Sequence, residues 1–181
     1  LRAGVIDSYE ALIRWNHPEK GLVNPMDFIA VAEGSGQIIP IGKWVLRDAL
    51  KTAADKIPDA RISINVSPVQ FRDVDFVEDV RAAIEASNVA PHRLELEITE
   101  NLLIEDDARA LSILTQLKSI GVNIALDDFG VGYSSLGYLR DFPVDLLKID
   151  RSFITEVTER HDDAVITRAV INLAHNLGIE V

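Results

Sequence analysis

Five short β-rich runs, residues 9–15, 61–66, 93–99, 122–127 and 146–149, are separated by longer stretches with helical periodicity. Repeated strand–helix alternation leads to one architecture, a parallel sheet covered by helices, either open or closed into a barrel. Residues 179–181 read as a further strand beginning. The helical stretches carry apolar stripes at three- and four-residue spacing. They are Trp44, Val45, Ala49 and Ala53; Phe76, Val77, Val80 and Ile84; Leu111, Leu114, Leu117 and Ile120; and Val165, Ile166, Ala169, Val170 and Leu173. Asn24 supplies a capping side chain ahead of Pro25 at a first helical position, and Gly34, Gly121 and Gly178 stand as stops. Each stripe is read as a core face.

Strands of a parallel sheet buried on both faces usually read as continuous apolar runs. These do not. Leu94, Leu96 and Ile98 oppose Glu95, Glu97 and Thr99; Ile62, Ile64 and Val66 oppose Ser63, Asn65 and Ser67. Glu10, Leu12 and Arg14 share one face of the first run, Lys148 and Asp150 one face of the last. Asp127 lies with Asn123 and Ala125, and Asp128 follows as that strand ends. With helices covering the apolar faces, the polar faces converge most simply in a barrel interior near its C-terminal mouth. Glu10, Asn65, Glu97, Asp127 and Lys148 are expected there. Carboxylates gathered in a partly dry space repel one another unless a cation binds them, and oxygen donors without cysteine point to Mg²⁺ or Mn²⁺.

Composition narrows the function classes. The 181 residues are 48% hydrophobic, enough for one soluble domain with a real core. No stretch approaches the roughly 18 to 20 apolar residues of a membrane span. Cysteine is absent, which excludes disulfides and thiolate metal sites and fits a reducing cytoplasm. The net charge of −11 repels polyanions, so a nucleic-acid polymer is not expected as partner. One small phosphate ligand stays compatible, because bound divalent metals invert the local field. His17, His92, His161 and His175 show no ligand spacing and are read as surface residues.

At these same residues the chain closely resembles the EAL-domain family of cyclic di-GMP phosphodiesterases. The signature Glu10-Ala11-Leu12 stands within Tyr-Glu-Ala-Leu-Ile-Arg-Trp-Asn-His-Pro. Four blocks follow in order: Ile-Asn-Val-Ser-Pro at 64–68, Glu-Ile-Thr-Glu at 97–100, Asp-Asp-Phe-Gly-Val-Gly-Tyr-Ser-Ser-Leu at 127–136 and Lys-Ile-Asp-Arg-Ser-Phe at 148–153. A bare EAL tripeptide carries no weight, whereas five ordered blocks are highly specific.

The resemblance implies a TIM-like (β/α)8 barrel of the EAL type and one domain over residues 1–181, incomplete at both ends. It implies that Glu10, Asn65, Glu97 and Asp127 bind one metal, and that Asp127 with Asp128 helps hold a second, about 3.5–4 Å away. Lys148 would contact the attacking water, Asp150 would support that network, Arg14 would reach a ligand phosphate and Leu12 would line the groove. Glu100 would anchor the loop 129–136, which in the family couples the metal site to dimerisation. The product would be linear pGpG. A homodimer, and fusion to sensory or GGDEF-type domains, are expected with it.

Val131 departs mildly from the Thr or Ala usual at its position. The family's Tyr-Gln-Pro strand is expected before Leu1 and its Ala-Glu-Gly-Val-Glu block after Val181. Such a barrel needs about 250 residues, so the stretch 1–181 alone is expected to hydrolyse little. Two other readings stand beside the enzyme: a degenerate receptor that binds the nucleotide uncleaved, and a dimerising signalling module.

Overall fold

The computed structural model describes residues 6–57, 59–105, 107–130, 136–155 and 161–181. Strands alternate with helices along it, in two compact units, Leu1–Leu96 and Glu97–Val181.

In the first unit β1 (Ser8–Ala11) runs parallel to β4 (Arg61–Asn65), with Ser8 opposite Arg61 and Glu10 opposite Ser63. The run 9–15 is not one strand. It breaks after Ala11, and β2 (Trp15–His17) turns back on β3 (Gly21–Val23) in an antiparallel hairpin. Local chemistry makes the hairpin turn. His17 Nδ1 accepts the backbone N–H groups of Glu19 at 3.1 Å and Lys20 at 3.2 Å, and Gly21 takes φ +70°, which a side chain would resist. Half-buried His17 is thus a turn cap, and its ring meets Trp15 edge-on at 4.9 Å.

Helix α1 (Pro25–Gly34) begins as its sequence predicts, with Asn24 Oδ1 accepting the N–H of Met26 at 3.1 Å. Helix α2 (Ile38–Lys56) corrects the predicted stripe. Leu46, Ala49, Leu50 and Ala53 face the core while Trp44 is 56% exposed. The close approach at Gly42 fixes this roll, since a Cβ there would lie 2.3 Å from the buried Gln70 side chain. Gln70 belongs to α3 (Pro68–Phe71), capped by Ser67, and α4 (Phe76–Ser87) buries Phe76, Val80 and Ile84 against α2. Each such side chain contributes about 1.5–3 kcal/mol by leaving water. Arg93, in a short 3-10 turn, closes the C-terminus of α2. Its guanidinium donates to the carbonyls of Ala60 at 3.0 Å, Ala53 at 3.3 Å and Ile57.

Strand β5 (Leu94–Thr99) carries the division between the units, between Leu96 and Glu97. In the second unit come α5 (Glu100–Glu105), α6 (Asp107–Ile120), β6 (Asn123–Phe129), α7 (Leu136–Asp141), β7 (Leu146–Ile149), α8 (Arg151–Thr155) and α9 (His161–Asn176). β6 and β7 pair in parallel, Ala125 with Leu146 and Leu126 with Leu147, and the register shifts before Phe129 pairs with Ile149. Glu180 bridges Leu146 in parallel, so the strand expected to begin at residues 179–181 is present as one bridge.

Lys118 grips both carboxylate oxygens of Asp145 at 2.7 Å, and Asp145 accepts the Ile124 N–H at 2.8 Å, tying α6 to the β6–β7 pair. Two stripes shift in phase. On α6 the buried residues are Ala110, Ile113, Leu114 and Leu117, with Leu111 39% exposed. On α9 Asp163, Thr167 and Ala174 turn inward, while Val165 and Ile166 are exposed. Periodicity sets the spacing of a stripe; which flank turns inward depends on the surface it meets.

Candidate functional site

Each unit gathers part of the predicted set. In the first, Asn65 at the end of β4 donates from Nδ2 to Glu10 Oε1 on β1 at 2.8 Å. The pair is exposed, at the edge where both strands finish. A groove of about 400 Å³ begins at Glu10 and is lined by Leu12, Arg14, Trp44, Asp48 and Lys56. Three predicted site residues therefore share one groove. Arg14 also borders a more apolar cavity of about 550 Å³ walled by Trp15, Phe28 and Trp44, and its Nη1 donates to the Ile13 carbonyl at 2.8 Å.

One step below Glu10 and Asn65 lies a polar cluster to which the sequence reading gave no role. Ser63 Oγ donates to Glu95 Oε1, and Arg61 Nη1 stands 3.5 Å from Glu95 Oε2. Arg61 also pairs with Asp7, and the hydroxyls of Ser8 and Ser63 meet at 3.2 Å. Glu95 is only 2% exposed. Its signal was available: it is an acid on the polar face of β5, a face it shares with Glu97.

In the second unit, Lys148 Nζ lies 2.8 Å from Glu97 Oε2 and 3.7 Å from Asp127 Oδ1. Glu97 is 3% exposed, so its charge is held in a poorly hydrated place beside an ammonium. The three residues come from β5, β6 and β7, and their partnership is the one the alternating strand faces predict.

Asp128 takes φ +55°, a left-handed backbone uncommon for any residue but glycine, at the register shift in β6. Partial loss of hydration, then the neighbouring carboxylates of Asp127 and Asp150, push its carboxyl above the usual range, while Lys148 pulls the other way. Asp150 goes in the opposite direction. The Ser152 hydroxyl and backbone N–H, the latter at 2.8 Å, stabilise its charged form, so it acts at the start of α8 as a turn cap. Glu100 is buried at the first position of α5. Of the loop it was expected to anchor, residues 131–135, including Val131, lie outside the described residues.

Among the described residues no three His, Asp or Glu side chains are gathered tightly enough to hold a metal ion by themselves. The donor chemistry nevertheless suits a hard cation. Glu10, Asn65, Glu97, Asp127 and Asp128 all offer oxygen, and Lys148 shows positive charge already held between Glu97 and Asp127. No helix among the described residues is long and apolar enough to cross a membrane.

Known proteins resemble the chain over nearly its whole length. The cyclic di-GMP phosphodiesterase PdeR of Escherichia coli is 38% identical over 181 residues, covering 98% of the chain. The bifunctional diguanylate cyclase/cyclic di-GMP phosphodiesterase MucR of Pseudomonas aeruginosa is 41% identical over 182 residues, again covering 98%. The chain spans 27% of the length of each of these relatives. A solved structure of the PaMucR phosphodiesterase in complex with c-di-GMP superposes with a TM-score of 0.88 at 42% identity, over 94% of this chain and 70% of the other. The fold is thus the TIM-barrel-like α/β fold of these neighbours. The family model for the EAL domain matches residues 1–181, and the chain belongs to the EAL domain family.

Proposed function

We propose that this chain forms the catalytic domain of a divalent-metal-dependent phosphodiesterase that hydrolyses cyclic di-GMP to linear pGpG. The observation that carries the reading is the contact of Lys148 with Glu97 and Asp127, at 2.8 and 3.7 Å, in a chain 38–41% identical to named cyclic di-GMP phosphodiesterases. Glu10, Asn65, Glu97, Asp127 and Asp128 would hold Mg²⁺ or Mn²⁺ in two positions. Bound there, divalent cations polarise a phosphodiester and lower the pKa of water.

The protein's own side chains divide the remaining work. Lys148 is at once a donor toward a water molecule and a positive group set against buried Glu97. Arg14, exposed at the groove, pairs with a non-bridging phosphate oxygen, and Leu12 offers an apolar wall to the dinucleotide. Asp150 fixes the turn that follows β7, and so the position of Lys148.

The greater length of the relatives, one of them bifunctional, supports fusion to sensory or GGDEF-type domains. A two-fold homodimer working in the cytoplasm belongs to the same proposal. Chromatography of cyclic di-GMP incubated with the protein and Mn²⁺ tests the reading. Lys148→Ala is expected to lower kcat by about 10²- to 10⁴-fold, the range for losing proton-transfer assistance, with little change in dinucleotide affinity. Arg14→Ala is expected to raise Kd instead. Binding without turnover in the unaltered protein would sink the hydrolytic reading.

A further inference from the structure

The cluster beneath Glu10 and Asn65 is a costly thing to keep in a protein. A carboxylate 2% exposed loses most of its hydration, and apolar residues of the same volume commonly serve stability at least as well. Glu95 receives one hydrogen bond, from Ser63, and a guanidinium at 3.5 Å. Those partners do not by themselves explain its presence.

Its position does. Arg61, Ser63 and Asn65 alternate along β4 and share one of its faces, as Ser8 and Glu10 share one of β1. The two strands are parallel with Glu10 opposite Ser63, so polar groups stack in two tiers. The lower tier runs Asp7, Arg61, Glu95, Ser63, Ser8; the upper is Glu10 and Asn65. Strand β1 has only four residues and, among the described residues, pairs with β4 alone. A one-residue slip of β1 would turn Glu10 to the opposite face. The backbone bonds of so short a strand specify register weakly. The lower tier adds contacts that only the observed register satisfies: the Ser8–Ser63 hydroxyl contact and the Asp7–Arg61 pair. Glu95 holds Ser63 and Arg61 in place for both.

We infer that Glu95, through Ser63 and Arg61, is a positioning residue that locks β1 in register and so aims Glu10 at its ligand. The inference rests on the phosphodiesterase reading only in naming that ligand as a divalent cation.

Two measurements on the full protein test it. Hydrogen exchange read residue by residue is expected to quicken about tenfold at Tyr9, Glu10 and Ala11 in Ser63→Ala, with β6 and β7 unchanged. Mn²⁺ affinity, followed by electron paramagnetic resonance, is expected to fall by about 10-fold, at the low end for losing an outer-shell partner. Ser63→Thr, which keeps a hydroxyl and suits a strand, is expected to restore both. Glu95→Gln, nearly isosteric, provides the same readings should Ser63→Ala fold poorly. Unchanged exchange in β1, or an equal rise in every strand, would overturn the inference. Failure of the phosphodiesterase reading looks different: β1 exchange would still respond, while cyclic di-GMP stayed intact in the unaltered protein.

Discussion

Glu95 and Glu97 stand two residues apart on the same side of one strand and are equally hidden, at 2% and 3% exposure. Their surroundings differ. Glu95 faces a guanidinium and a serine hydroxyl, Glu97 an ammonium whose side chain is 32% exposed. Arginine does not titrate in proteins, so nothing around Glu95 can move a proton at neutral pH. Lysine can exchange protons and swing on a flexible stem. Burial therefore does not tell a structural carboxylate from a reactive one. The partner does.

The sharpest way to break that comparison is Glu97→Ala. Calorimetry with Mn²⁺ is expected to show affinity lowered by more than the roughly 100-fold at which outer-shell losses end. An Mn²⁺ affinity equal to that of the unaltered protein would place Glu97 in the same class as Glu95.

Arg93 sharpens the structural side. Its three bonds to the carbonyls of Ala53, Ile57 and Ala60 tie the entry of β5 to the end of α2. Arg93→Ala is expected to lower unfolding free energy by about 2 kcal/mol in a urea titration, as for a charged donor leaving carbonyls behind. Metal affinity per folded molecule should stay constant. A variant as stable as the parent would mean that solvent replaces the guanidinium at no cost.

The smallest expected effect has the opposite sign. Asp128 has a raised carboxyl pKa, so ionising it costs folded-state stability. That loss begins above the unfolded value near 4 and is complete once pH exceeds the folded value. With divalent ions removed, Asp128→Asn should therefore melt a few degrees higher at pH 7, with the gain vanishing below about pH 4. Asparagine tolerates the left-handed backbone, so the change isolates the charge. Excess Mn²⁺ should reverse the order of the two proteins. A gain independent of pH would show that charge repulsion is not the cause.

Much of this was legible in the residues. Asn24 and Pro25 announce α1 because a cap acts within two residues of itself. The approach of Lys148 to Glu97 follows from alternation alone, since neighbouring strands of a parallel barrel finish at one end. What stayed hidden depends on partners distant in sequence or on phase. Trp44 belongs to a helical stripe in the sequence, yet Gly42 against Gln70 rolls it outward. Val165 and Ile166 have the right spacing and the wrong side. The run from Tyr9 reads as continuous because the alternation of Glu10, Leu12 and Arg14 carries on past Ala11, where the strand ends. Glu95 was visible as an anomaly, but its partners lie more than thirty residues upstream and depend on register.

The left-handed residue in β6 has a consequence best put in the language of reading frames. A strand is written in two alternating letters, in and out, so two adjacent carboxylates should point to opposite sides. Asp128, at φ +55°, inserts a frameshift: Asp127 and Asp128 both feel Lys148 and each other, and Phe129 is buried again just beyond. The frame is held from outside as well, because a side chain on Gly130 would come within 2.8 Å of the Phe153 ring. A β-branched residue at 128 would resist that conformation and restore the alternation. The strand would gain regularity, and the pair of acids would no longer be spelled together.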